Sequence, residues 1–292
     1  MTLNKCRVSL GSLLLLPSLA MAWGEIGHRA VGLIAEKRLS SDARRQIQRF
    51  MGRESLARAS TIADEFRSDP RFDHWDPWHF VEIPLGRDAY DLSRASPKGD
   101  LIQALIESER RLRLGSKSSP ELLKEAMRQY VHFLADLHMP FHIGNGVDRG
   151  ANWCMVTWFR RPTNLHAVWD EDIIGSLNLS YTEWVGFIDV KVASEEQGYR
   201  QGDIKSWAME SAKVRESLYP PSVGSKKKPG QIETPQERSF CKKSFDEEIS
   251  SRRMPALGWE YRYQHRPLLE DQIVKAGVRL AHQLNSIFSK TK

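Results

Sequence analysis

Apolar residues return every three or four positions in six stretches of this chain: 25–39, 42–50, 98–114, 120–137, 206–218 and 268–288. That spacing puts them on one face of a helix, so each stretch reads as amphipathic. In the first, Ile26, Ala30, Val31, Leu33 and Ile34 make the apolar stripe. Pro120 suits the first turn of its helix, and Glu121 favours the positive N-terminal end. Strand signals are few and short, at 80–83 and 155–159. Residues 226–236 carry two prolines and a glycine among polar side chains and read as loop. No internal repeat or boundary interrupts the pattern. The expectation is a mainly α fold, a single compact helical domain.

Residues 1–22 read as a secretory signal peptide. Lys5 and Arg7 form its positive end, an apolar run follows from Val8 to Leu19, and Ala20-Met21-Ala22 offers a small-residue cleavage site. Cleavage there leaves a domain of residues 23–292, secreted or periplasmic, that begins at Trp23. Its free α-amine, with a pKa near ~8, would sit five residues before His28. Amine and carbonyl of one residue can chelate a metal with His28 as a third ligand. Equally, Trp23 could be an ordinary first residue and His28 a surface histidine. No other apolar run approaches the ~20 residues that span a bilayer, so no stable membrane association is expected, and a monomer is.

The net charge of +6 and the basic stretch 226–238 point to an anionic partner, without separating nucleic acid from phospholipid or a cell-surface polymer. Taken alone, Lys226-Lys227-Lys228 is a solvated loop. Cys6 leaves with the leader. Cys154 and Cys241 then either pair, the favoured outcome in an oxidising compartment, or stay as two buried thiols. A bond would close a loop of roughly 90 residues, worth about 4 kcal/mol in the chain-entropy model. Asn178-Leu179-Ser180 matches a glycosylation sequon.

The strongest chemical signal is the run from Tyr130 to His142. His132 and Asp136 are four apart and share a helix face. Pro140 ends or kinks that helix and lets His142 return to the same cleft. A second pair with the same spacing, His166 and Asp170, follows in Asn164-Leu165-His166-Ala167-Val168-Trp169-Asp170. Imidazole and carboxylate are the nitrogen and oxygen ligands of zinc. One such pair is more often structural; two, with His142 between them, favour metal. Upstream, Asp64 in isolation reads as a cap or surface acid. His79 sits among aromatic residues in Trp75-Asp76-Pro77-Trp78-His79-Phe80 and is not fully solvated.

Taken together, Trp23-Gly24-x-x-Gly27-His28, Ala63-Asp64, His79-Phe80, His132-x3-Asp136-x-His138-x-Pro140-x-His142 and Asn164-Leu165-His166-x-Val168-Trp169-Asp170 resemble the zinc-dependent single-strand nucleases of the S-one/P-one type. These are relatives of the zinc phospholipases C. The likeness covers the whole chain after the leader, including the stretches around Trp207 and Arg279. It implies a helical cleft holding three zinc ions. One would be held by Asp64, His79, His132 and Asp136, and a second by His142, His166 and Asp170. The third would be held by His28, Asp136 and Trp23, so that Asp136 bridges. His138 would be a satisfied core histidine or an orienting neighbour.

The resemblance also implies the chemistry. Metals bridged ~3.5–4 Å apart lower the pKa of a shared water, and its hydroxide would attack a phosphodiester in line, with Asp64 and Asp136 as catalytic carboxylates. Products would be 5′-phosphates. Expected substrates are single-stranded DNA and RNA, with 3′-nucleotides as an extension. Phe80 corresponds to the family's base-stacking position or is a core aromatic. Glu82 and Asn152 are the other substrate-binding candidates. Gly150-Ala151-Asn152 departs from the Gly-Gly-Asn of many relatives, and Ala151 would strain the loop if a positive φ is needed. A zinc phospholipase C is the alternative; Asp170, where those enzymes usually place glutamate, favours the nuclease. A purely structural zinc protein is the third reading, against which stands the lack of cysteine ligands.

Overall fold

Side-chain caps, more than the apolar stripes, set where the helices start. Asp100 accepts the amide of Gln103, Ser119 that of Leu122, and Asp203 that of Ser206. Each satisfies an orphan donor of the first turn. The third helical stretch therefore begins at Leu101 and not at 98, and the fifth at Ile204 and not at 206.

The computed structural model describes residues 23–191, 195–228 and 231–289; the expected leader, 1–22, lies outside them. The described residues form one mainly α domain. Its helices are α1 (Gly24–Lys37), α2 (Ser41–Met51), α3 (Leu56–Ala59), α4 (Ile62–Phe66), α5 (Leu101–Leu114) and α6 (Pro120–Asp136). Then follow α7 (Leu165–Ala167), α8 (Ile173–Gly175), α9 (Tyr181–Ile188), α10 (Glu196–Tyr199), α11 (Ile204–Glu216) and α12 (Trp259–Ile287). Strands β1 (Val81–Glu82) and β2 (Ile143–Gly144) pair in parallel, Val81 opposite Ile143. Strand β3 (Met155–Trp158) pairs antiparallel with β4 (Arg161–Asn164) and in parallel with β5 (Ala256–Leu257). No helix among the described residues is long and apolar enough to cross a membrane.

Helix α6 runs through the middle, buried from Gln129 to Asp136, with α1, α5 and α12 packed around it. The α1–α12 contact is close: a Cβ added at Gly277 would stand 2.4 Å from Ile34 Cγ2, so only glycine lets these two backbones approach. Trp23, Trp169, Trp184 and Trp207 are fully buried. Such rings supply large apolar area, and their N–H groups need partners. Trp23 Nε1 finds Ala135 O at 2.8 Å, and Trp169 Nε1 finds Tyr261 Oη at 2.8 Å.

The last helix and strand β4 also differ from expectation. The last helix begins at Trp259, nine residues earlier than 268, and carries Pro267 inside it. Proline removes one backbone bond, but buried Tyr261 anchors the extra turns by donating to Leu218 O at 2.6 Å. Strand β4 has no sequence signal because Pro162 lies within it. It survives as the edge of its sheet, where a missing N–H is tolerated. The hairpin turn before it places Phe159 and Arg160 at φ +46° and +71° without glycine.

Candidate metal centre

Eight candidate ligand side chains come from seven elements of the fold and meet at one place. Helix α1 brings His28 and α4 brings Asp64. His79 closes the 3-10 segment Pro70–His79, and α6 supplies His132 and Asp136. The helix stops at Asp136, and Pro140 opens a short turn, Pro140–His142, that folds His142 back. Helix α7 carries His166. A π turn, Val168–Asp172, carries Asp170 on the same face; such turns often mark functional sites. All eight side chains are buried.

Asp136 is the centre of the arrangement. Its Oδ2 lies 3.2 Å from both His79 Nδ1 and His132 Nε2. Its Oδ1 lies 3.3 Å from His28 Nε2 and 3.5 Å from His142 Nδ1. Asp64 joins from the other side, 3.7 Å from His132 Nε2 and 3.8 Å from His79 Nδ1. A third grouping sits beyond His142: His166 Nε2 is 2.9 Å and His142 Nε2 3.7 Å from Asp170 Oδ2. The Trp23 nitrogen, fully buried, lies 2.9 Å from Asp170 Oδ1.

This donor set fits a cation. His132 Nδ1 lies 2.6 Å from Ser60 O, and His166 Nδ1 2.7 Å from Gly150 O. A carbonyl only accepts, so both rings carry the proton on Nδ1 and turn an Nε2 lone pair into the cluster. His132 Nε2 stands 3.0 Å from His79 Nδ1, a spacing at which the two nitrogens share either a proton or a cation. His28 Nε2, Asp64 Oδ1, Asp136 Oδ1, His142 Nδ1 and Asp170 Oδ2 have no hydrogen-bond partner although buried. Orphaned groups of that kind cost free energy. Burial alone would raise the Asp136 carboxyl, but the imidazoles of His132 and His142 outweigh it and hold it well below the usual range. Burial works against a charged His132 as well, and Asp136 and Asp64 overcome it, pushing that ring up to about 9; the two carboxylates thus favour positive charge at its Nε2, which a metal ion there would supply in place of a second proton. The outer nitrogens are oriented by backbone carbonyls in the way metal-binding histidines usually are.

A fourth grouping, Asp148 with Cys154 and Cys241, is of another kind. The two cysteines form a disulfide, S–S 2.06 Å, and offer no thiolate. His138 stays outside the cluster as a neutral core histidine. Burial, then Arg279, lowers its pKa well below the ordinary value. Its Nδ1 donates to Leu134 O, and Arg279 donates to its Nε2 at 2.9 Å.

A cavity of about 460 Å³ opens from the cluster to solvent, reaching His79, His142 and His166. Phe80 stands on its wall, 48 % exposed, and so is no core aromatic. Glu82, exposed at the rim, accepts the amide of Gly146 at 2.6 Å. Asn152 lines the wall and donates to Arg149 O at 3.0 Å. Three further wall residues, Arg67, Arg149 and Trp153, were not legible in the sequence. None has a spacing that sets it apart, although Trp153 beside Asn152 is an aromatic next to a candidate contact. Arg149 lies over the Trp153 ring at 5.8 Å.

The family model described as S1/P1 Nuclease matches residues 23–289. Endonuclease 3 of Arabidopsis thaliana is 28% identical over 279 residues, covering 92% of this chain and 90% of the relative. Nuclease S1 of Aspergillus oryzae is 25% identical over 287 residues, 95% of this chain and 96% of the relative. Nuclease P1 of Penicillium citrinum is 31% identical over 172 residues, 55% of this chain and 63% of the relative.

Proposed function

Because the chain belongs to the S1/P1 nuclease family, we propose that this nuclease is a zinc-dependent endonuclease of single-stranded DNA and RNA that leaves 5′-phosphates and also acts as a 3′-nucleotidase. Asp136 carries the proposal. One buried carboxylate turns each of its oxygens to a different pair of imidazoles, beside a cavity open to solvent.

Asp64, His79, His132 and Asp136 would hold one zinc; His142, His166 and Asp170 a second; and His28, Asp136 and Trp23 a third. Bound there, zinc supplies a nucleophile from water near neutral pH and neutralises charge on phosphate oxygens. Asp136 and Asp64 keep their carboxylates in the centre, and Ser60 and Gly150 fix the His132 and His166 rings. Phe80 offers a face for an unstacked base, worth about 1–3 kcal/mol per base, which supports a single-strand preference. Asn152 and Glu82 stand where base or sugar polar groups would reach.

The Trp23 role requires cleavage after Ala22 and therefore export to the periplasm or medium. Two observations support it: the family match begins at Trp23, and the Trp23 nitrogen is buried at the cluster. The site is complete within one chain, which supports action as a monomer.

The test is hydrolysis by correctly processed protein, with and without a zinc chelator. Its substrates are single-stranded DNA, RNA, a 3′-nucleotide and phosphatidylcholine. Chelator-sensitive release of 5′-nucleotides is the expected result. Hydrolysis of the lipid alone would overturn the substrate, and nuclease activity indifferent to chelation would overturn the metal.

A further inference from the structure

The loop between β2 and β3 supplies Arg149, Gly150, Asn152 and Trp153 to the cavity wall, and a buried polar cluster lies directly behind it. Asp148, 1 % exposed, accepts hydrogen bonds within that cluster at both carboxylate oxygens and at its carbonyl. Its Oδ1 accepts the amide of Ala151 at 2.9 Å. Its Oδ2 accepts Asn145 Nδ2 at 2.9 Å and the Tyr219 hydroxyl at 2.6 Å. Its carbonyl accepts the Trp153 amide at 3.1 Å.

Arg238, fully buried, provides the counter-charge. Its guanidinium lies 3.4 Å above the Tyr219 ring, donates to Glu216 Oε2 at 2.9 Å and approaches Asp148 Oδ2 at 3.8 Å. A buried carboxylate is costly unless paired and hydrogen-bonded; here all the partners converge on one turn.

That turn is held in a conformation the chain resists. Gly150 and Ala151 both lie in the left-handed region, at φ +59° and +61°, which a side chain disfavours. The bond from Ala151 N to Asp148 fixes the turn, and the turn aims the Gly150 carbonyl at His166 Nδ1. Which nitrogen His166 presents to Asp170 therefore depends on a carbonyl whose direction is set from Asp148.

We propose that Asp148, clamped by Arg238 and Tyr219, is a positioning residue for the metal centre: through the Gly150 carbonyl it fixes the proton and the tilt of His166. The Cys154–Cys241 disulfide joins the same two chain segments, so a covalent tie and an ionic tie act in parallel. The inference rests on the zinc reading above.

The test is zinc binding by processed wild-type protein, Asp148→Asn and Tyr219→Phe, by competition against a chelating dye. Absorption of the cobalt(II)-reconstituted proteins and far-UV circular dichroism accompany it. In Asp148→Asn the amide nitrogen would face the Asn145 and Tyr219 donors, and Arg238 would keep Glu216 but lose the Asp148 charge beside it. With its fold retained, that variant is expected to bind one zinc about 10- to 100-fold more weakly and to shift the cobalt bands. Tyr219→Phe, the milder change, weakens the same site by less and decides the matter if Asp148→Asn does not fold. Arg238→Lys is expected to recover part of what Arg238→Met loses. Zinc affinity and cobalt bands matching wild type in the folded variants would overturn the positioning role alone. Wild-type protein that takes up no zinc would overturn both this role and the zinc reading.

Discussion

His132 Nε2 and Asp136 Oδ2 stand 3.2 Å apart across one turn of α6, which leaves Asp136 Oδ1 turned the opposite way toward His28 and His142. Under the proposed zinc reading, a carboxylate used on both sides would serve more than one ion. Asp136→Asn keeps the shape but replaces one oxygen by a donor and removes the charge. It is expected to lose more than one zinc per molecule and to cut activity by more than about 10³-fold, beyond the 10–100-fold typical of an outer partner. Metal analysis of the folded variant is the check; loss of a single ion contradicts the bridge.

The Trp23 nitrogen makes a sharper demand. It is buried 2.9 Å from Asp170 Oδ1, and only a free amine there has a lone pair for metal. Protein that keeps Ala22 has an amide at that position. It is expected to carry about one zinc fewer and to be at least about tenfold less active. Full activity and full metal content in the extended form would remove Trp23 from the ligand set.

Away from the metal site, Glu54 links the end of α2 to α6. Its carboxylate takes Arg128 Nε at 2.8 Å and Nη2 at 2.7 Å, with Lys124 Nζ at 2.8 Å. Burial pushes the Glu54 carboxyl up, but Arg128 and Lys124 outweigh it and hold it below its ordinary value. A depressed carboxyl contributes stability above its unfolded pKa of about 4.3 and loses it as pH falls through the folded value. Glu54→Gln is therefore expected to cost about 1–2 kcal/mol at pH 7. That cost shrinks as pH falls below the unfolded pKa and through the lower folded one. Urea unfolding of both proteins at neutral and at falling acidic pH measures it; a difference that grows in acid has the wrong sign.

The sequence carried the six long helices and the two His-x-x-x-Asp pairs because both are written in local spacing, whereas the short helices α3, α4 and α7 to α10 were not expected. His132 and Asp136, or His166 and Asp170, need one turn of helix to meet. What was not legible depends on contacts distant along the chain. Asp64 in isolation looks like a cap, and only the family resemblance marked it as a ligand, because its approach to His132 is made by α3 and α4 across the fold. The start of α12 depends on Tyr261 reaching Leu218 across the fold, against the local signal of Pro267. Strand β4 depends on β3 as a partner, and nothing in Arg161-Pro162 announces it. Arg149 and Trp153 reach the cavity because Asp148, buried behind them, sets the loop, and a single Asp in a polar run has no periodicity to read.

The same loop gives the cleanest separation between two adjacent residues of equal backbone conformation. Ala151 at φ +61° is strained by about 1–2 kcal/mol. Replacing it with glycine relieves that but removes a buried methyl worth about 0.8 kcal/mol and adds about 0.5–1 kcal/mol of chain entropy. The terms nearly cancel, so Ala151→Gly is expected to leave stability within about 1 kcal/mol of wild type. Gly150→Ala has no such balance. Its new Cβ would stand 2.3 Å from Phe141 O, a backbone atom that cannot rotate away, at φ +59°. Strain and overpacking together are expected to cost about 2–4 kcal/mol, a Tm lower by roughly 5–15 °C at this length. Relief of the clash by moving the loop would turn the Gly150 carbonyl from His166, so zinc binding should fall with stability. Thermal melts and zinc titration of the two variants separate the cases. A Gly150→Ala protein as stable as Ala151→Gly would mean that the loop yields freely, and that His166 is not held by it.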